Sequence, residues 1–315
     1  MRHARLFDFT ATRTAVAIAL CAASLLASDA DAQQGSGSRG ATDWSAVDQA
    51  LGRTGTAQPG GVMKYGFPRS DLQVMVGDVR LKPAFALGSW VAFRRAGAGR
   101  AMVMGDLVLT EQEIAPVMQA LQSGGVELTA LHNHVLMESP RVMYMHIAAH
   151  GDPAKIAATI RSALAQTATP MDPPAASASA AIDLDTAGIA HALGVAGKVT
   201  GGVYQVSVPR RQEVTEHGMV VPPSMGVATA INFQPTGGGK AAITGDFVMV
   251  ASEVNAVIRA LHEHGIGVTA LHSHMLTESP RLFFMHFWAN DDAVTLARGL
   301  RAALDQMAVR RAAAR

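Results

Sequence analysis

Residues 130–146 read ALHNHVLMESPRVMYMH, and residues 270–286 read ALHSHMLTESPRLFFMH. Eleven of these seventeen positions are identical. The match continues outward. Gly105-Asp106 and Gly245-Asp246 keep the offset of 140 residues, Pro68-Arg69 and Pro209-Arg210 match at 141, and Leu51-Gly52 and Leu193-Gly194 at 142. Small loop changes produce a drift of that size. Two copies are too few for a solenoid, so the chain reads as two similar domains related by a pseudo-twofold axis.

Within a copy the hydrophobic pattern is mixed. Ala46–Leu51 reads as the end of a short helix. Val62–Phe67, Leu72–Val79, Ala86–Arg94 and Ala101–Leu109 read as strands separated by turn residues. Thr110 followed by Glu113 is a capping box, and Ile114, Val117, Met118 and Leu121 continue it with helical spacing despite Pro116. Val254, Val257, Ile258 and Leu261 repeat that spacing without a proline, and Gly124-Gly125 and Gly265 mark the helix ends. Val126–His134 and Arg141–Ala149 read as strands, and Ala154–Leu164 and Ala293–Leu304 as closing helices. The expected class is α+β: two tandem homologous copies, each a mostly antiparallel sheet with two or three helices.

The 315 residues carry a formal net charge of +1 and are 49% hydrophobic. Core material is ample, and no basic or acidic run argues for nucleic acid. The N-terminus reads as an export signal over residues 1–32. Arg2, Arg5 and Arg13 precede an apolar stretch from Ala15 to Ala27, and Ala30-Asp31-Ala32 supplies a cleavage site. The stretch is short for a permanent span, so no transmembrane segment is expected after cleavage. The single cysteine, Cys21, follows Leu20 where lipid attachment favours a small residue, so lipid anchoring is not expected. Cleavage leaves a mature chain without cysteine, in the periplasm or secreted. The remaining boundaries are a disordered leader at 33–43, a first repeat at 44–166, a Pro/Ala/Ser linker at 167–181, a second repeat at 182–308 and a tail at 309–315.

The repeated core is rich in donor atoms. On a strand, residues i and i+2 share a face with Cα atoms roughly 6.5–7 Å apart, so His132 and His134 stand side by side. If the next strand returns antiparallel, Tyr144, His146 and Ala148 line one face with His150 beyond, and Glu138 lies in the connection. His132, His134 and His146, with Glu138 as ligand or general base, form a candidate set for zinc, manganese, iron or copper. His272, His274, His286 and Glu278 repeat it. The spacing is analogous to the metal motif of cupin barrels, although the helices do not suit such a barrel. The competing reading is a hydrogen-bonded structural hairpin. Arg141 and Arg281 offer either a salt bridge to the nearby glutamate or an anchor for an anionic ligand. Ser139 beside a histidine lacks any nucleophile motif. Gly105-Asp106 reads as a bulge, or Asp106 as support for a histidine. Met143, Met145, Met275 and Met285 fill core gaps or favour copper. The copies differ at His150, which is Asn290 in the second, and at His262 and His264, which suit a helix C-terminus.

These duplicated segments resemble the LppY/LpqO family of exported bacterial proteins, a family of unknown function. The resemblance spans about Trp44 to Met307 and implies export and a two-copy architecture, but no reaction. The residues lead to two functional expectations. One is an exported metal-binding protein with a site in each copy, acting as a metal-dependent hydrolase. The other is a non-catalytic module binding a small anionic or sugar-like molecule. Whether the chain is an enzyme, and its oligomeric state, stay open.

Overall fold

The computed structural model describes residues 43–172 and 181–310. The export signal and nearly all of the leader lie outside the described residues.

The first copy runs α1 (Ser45–Leu51), β1 (Thr56–Gln58), β2 (Val62–Pro68), β3 (Met75–Val76), β4 (Val79–Arg80), α2 (Pro83–Ala86), β5 (Gly88–Gly97), β6 (Arg100–Thr110), α3 (Glu111–Ser123), β7 (Glu127–His132), β8 (Glu138–Ser139), β9 (Val142–Gly151) and α4 (Pro153–Leu164). The second runs α5 (Thr186–Leu193), β10 (Lys198–Thr200), β11 (Val203–Pro209), β12 (Thr215–Glu216), β13 (Met219–Val220), a 3-10 turn (Pro223–Met225), β14 (Ala228–Gly237), β15 (Lys240–Met249), α6 (Ala251–Glu263), β16 (Gly267–His272), β17 (Phe283–Asp292) and α7 (Ala293–Leu304). Each copy builds a six-stranded antiparallel sheet, in the orders β1-β2-β5-β6-β9-β7 and β10-β11-β14-β15-β17-β16. The α+β class and the tandem duplication are therefore present as the sequence implies.

Strand alternation explains the layers. On β6, Ala101, Val103, Leu107 and Leu109 pack with Val117 and Leu121 of α3 and Ile156 and Ile160 of α4. Ile243, Phe247 and Met249 of β15 do the same with α6 and α7. The opposite faces turn toward the other copy. Met102 and Met104 of the first sheet share a buried cluster with Val248, Leu282 and Phe284 of the second. Val108 and Tyr144 share another with Val203 and Ala242. Each sheet is thus covered by its own helices outside and by the other copy inside.

Several expectations need correction. Leu72–Val79 is not one strand. It turns at Gly77 (φ +56) between the short β3 and β4, sending Val74 and Leu81 into the shared core. Gly105-Asp106 is not a bulge, because β6 and β9 stay in register through it. Glycine is required there for space: a Cβ on Gly105 would lie 2.8 Å from the Trp90 carbonyl. Thr167–Asp172 is not linker. The Ala168 N–H donates to Glu113 at 3.0 Å, Thr169 is buried, and Arg53 donates to the Met171 carbonyl at 2.9 Å. Val309 is likewise buried and bridges Arg210, so the fold extends past residue 308.

The recurring Pro-Arg pair has a structural task. Arg69, fully buried, donates to the Val108 carbonyl at 2.7 Å, to Asp71 at 2.8 Å and to Glu113 at 2.7 Å. Arg210 donates to the Val248 carbonyl at 2.9 Å and to Glu253 at 2.6 Å. Each glutamate also accepts the N-cap backbone N–H of its helix, from Thr110 at 2.8 Å and Val250 at 2.9 Å. A valine cannot return the bond, so the glutamate half of the expected capping box is what the copies share.

Burial alone would raise the pKa of Glu113 and Glu253. Their arginine partners and backbone N–H donors outweigh it, holding both below the ordinary 4.5. The unfolded chain therefore binds more protons in that window, and this stabilisation is complete above about pH 4.5 and lost as pH falls through the folded values. In Glu113→Gln, the urea midpoint should vary less between pH 5 and 3 than in the native chain. Equal slopes would remove Glu113 as a source of acid sensitivity.

Candidate functional site

The antiparallel return of the chain sets the inner faces of β7 and β9 side by side, with Ala130 opposite His146 and His132 opposite Tyr144. One strand over, Asp106 lies opposite His146 on β6. The second copy repeats this with Asp246 opposite His286. His134 falls just beyond the end of β7, yet its ring remains 5.3 Å from that of His132.

The two sets do not form two separate sites. The edge strands β7 and β16 approach each other at the seam, where the Asn133 side chain donates to the Thr269 carbonyl at 3.2 Å and the Thr269 hydroxyl to the His134 carbonyl at 2.5 Å. This brings all six predicted histidines into one cluster. His132 stacks on His272 at 3.6 Å between ring centroids, His146 on His274 at 3.6 Å, and His134 lies 3.9 Å from His286. One nitrogen from each of His132, His272, His274 and His286 falls within 4.8 Å of the others. The expectation of a site in each copy is therefore replaced by one centre built by both. The physical cause is the burial of the two inner sheet faces against each other.

Local hydrogen bonds set the tautomers. His132 Nδ1 donates to the Asn133 carbonyl at 3.0 Å, and His286 Nδ1 to the Gly245 carbonyl at 2.6 Å. A carbonyl only accepts, so in both rings Nε2 keeps a lone pair. Those two Nε2 atoms, with Nε2 of His134 and His146 and Nδ1 of His272, are buried without a partner. His272 Nε2 and His274 Nε2 are 2.9 Å apart. Two nitrogens each about 2.1 Å from one ion would sit about 3–3.4 Å apart, so the spacing also suits a shared ion.

Burial lowers every pKa in the group: His132 to about 4 and His286 to about 3, the latter also opposed by the His132 charge. His134, His146, His272 and His274 are held far below the ordinary value by burial first and by neighbouring histidines second. The rings are neutral at pH 7, the form that ligates metal. Burial also pushes Asp106 up to about 7, against the pull of Lys64, and raises Asp246 strongly. Asp106 lies 3.8 Å from His134 and 3.9 Å from His146; Asp246 lies 3.3 Å from His274 and 4.0 Å from His286. These contacts are not ion pairs between neutral rings, but a bound cation would favour both carboxylates.

The carboxylates that stand beside the histidines are thus Asp106 and Asp246, not the expected glutamates. Neither Glu138 nor Glu278 belongs to the four-histidine group or pairs with a histidine among the described residues. Glu138 is buried with both oxygens unpartnered, and Glu278 accepts from the Leu282 N–H at 2.8 Å and Arg281 at 3.2 Å. The expected Glu–Arg salt bridge therefore exists in the second copy. Among the described residues Arg141, which is exposed, has none, and Arg281 is engaged by Glu278 and Ser273. Met145 and Met285 point into the helix-side cores and Met275 into the shared core. His264 bonds the Ala260 carbonyl at a helix end, and His262 is exposed there. The signal for the aspartates was the recurring Gly-Asp pair; the strand register that places them beside histidine was not readable. Leu131, Leu136, Met137, Leu271 and Leu276 on the same segments are exposed. A cavity of about 580 Å³ lies elsewhere along the seam, lined by Arg80, Lys82, Gln234 and Asn290 among others.

No helix among the described residues is long and apolar enough to cross a membrane. No curated protein matches this chain. A solved structure titled "Crystal structure of a trimeric bacterial microcompartment shell protein PduB" aligns over 80% of this chain and 91% of that chain at 15% identity, with a TM-score of 0.20, too low to carry an argument. The family described as Domain of Unknown Function (DUF1259) matches residues 45–166 and again residues 187–306. Each match lies within one of the two repeats, and the chain belongs to that family.

Proposed function

We propose that the cluster between the two copies binds a divalent transition metal, with His132, His272, His274 and His286 as the principal seat and Asp106 and Asp246 beside it. The observation that carries this reading is the set of buried imidazole nitrogens without partners. A buried polar atom left unpaired costs roughly 1–3 kcal/mol, so a purely structural hairpin would be expected to satisfy more of them. Neutral imidazole favours zinc, iron and copper over manganese, which prefers oxygen donors. A metal-bound water with lowered pKa would make the centre a hydrolase, with an aspartate rather than Glu138 or Glu278 accepting its proton. Export to the periplasm belongs to the same proposal and rests on residues 1–32.

The test is zinc binding by chelator-stripped protein, read by metal analysis. The native chain should hold zinc stoichiometrically. His132→Ala should weaken binding by about 100-fold or more, because even outer-shell changes cost 10–100-fold. His262→Ala, on the exposed end of α6, should leave it unchanged. Absence of stoichiometric zinc in the native chain would end the proposal.

A further inference from the structure

Near one end of the seam lies a second group of donors that the central cluster does not use. His150 is on the inner face of β9, four residues and roughly 13 Å beyond His146 along the strand. Glu216 and His217 come from the β12–β13 hairpin of the second copy, and Thr277 from the segment after β16. The His150 and His217 rings meet edge to face with centroids 5.1 Å apart. His217 Nε2 lies 3.9 Å from Glu216 Oε1. The Thr277 hydroxyl donates to that same oxygen at 2.9 Å.

Two donors here are withdrawn from water and left without partners. Glu216 is 5% exposed and its Oε2 has no hydrogen bond; His150 Nε2 is in the same condition. Both are costly to leave unmade. The His217 side chain is 51% exposed, so it can turn toward them from the solvent side.

The other copy shows that folding does not require this set. Val74 and Val214 each accept the N–H that closes the equivalent hairpin, from Leu81 and Val221, which makes Val76 and Gly77 the counterparts of Glu216 and His217. His150 is replaced by Asn290, which is occupied by the Thr236 hydroxyl at 2.8 Å. His217 has φ +48, in the left-handed region where its counterpart Gly77 sits at +56. A histidine held where the turn favours glycine is backbone strain of the kind found at functional positions.

We propose that His150, His217 and Glu216 form a separate site for one divalent transition ion. Two imidazoles and a carboxylate are a common donor set for zinc, and three protein ligands leave the fourth position to water. The site joins residues of both copies, so its ion would clamp the β12–β13 hairpin to the end of β9.

The test exchanges residues between the copies. His150→Asn and His217→Gly install what the duplicated counterparts already carry, so both should fold. Zinc bound per chain is measured by equilibrium dialysis on stripped full-length protein. Each variant should bind one zinc fewer than the native chain, and His217→Gly should not lower zinc-free thermal stability. A variant binding as many ions as the native chain, or a native chain binding none, would overturn the proposal. If His132→Ala leaves binding unchanged while the exchanges each remove one ion, the central reading fails and this one stands.

Discussion

Replacing Arg69 by methionine should lower the unfolding free energy by about 3–5 kcal/mol, the cost typical of breaking a buried ion pair. The guanidinium is fully buried and joins three things: the Val108 carbonyl at the end of β6, the Asp71 carboxylate and the Glu113 carboxylate that caps α3. Methionine fills much of the volume but strands two carboxylates. Arg210→Met should fall toward the lower end of that range, because Gln212 stands where Asp71 does and Arg210 Nε is already unpartnered. Thr110→Val should stay within about 0.5 kcal/mol, since Val250 holds the same place in the second copy. Adding Glu113→Gln to Arg69→Met should recover part of the loss. Urea unfolding of the four variants checks the order. An Arg69→Met chain as stable as Thr110→Val would show that the pair does not hold the β6–α3 corner.

The second large effect concerns the halves. Produced alone, residues 44–172 should not unfold cooperatively as a monomer, and neither should residues 181–310. Met102 and Met104 of the first copy share one buried cluster with Leu282 and Phe284 of the second, and Val108 shares another with Val203 and Ala242. Separation exposes both apolar inner faces and the histidines between them. Mixing the two halves should restore a cooperative transition and metal binding together. A folded, monomeric first half with its own zinc would show that each copy carries a complete site.

The legible part of the fold was local. The helix from Glu111 and the return from β7 to β9 followed from spacing and from agreement between the copies, and Ala293–Leu304 matches α7 at both ends. Alternation also placed Tyr144, His146 and Ala148 on one face. It could not say what covers that face, because period two distinguishes sides and not partners. That is why two sites were expected where one centre stands. The role of the aspartates was only partly legible for a related reason: Asp106 could be read as support for a histidine, but it meets His146 through the pairing of β6 with β9, strands separated in sequence by α3, β7 and β8. Leu72–Val79 misled because Val74 and Val76 alternate like a strand, while Gly77 turns the chain so that Leu81 can join Val74 in the shared core.

The central claim is that one metal centre is assembled from both copies. Anomalous diffraction at the zinc edge, on crystals of the stripped and reloaded chain, tests it most directly. The expected result is an ion at the seam with imidazole nitrogens of His132 and of His272, His274 and His286 at about 2.0–2.1 Å. Ions each held within a single copy, or the absence of any ion touching these four histidines, would contradict it; an ion at His150, Glu216 and His217 would belong to the separate site and leave this claim untouched.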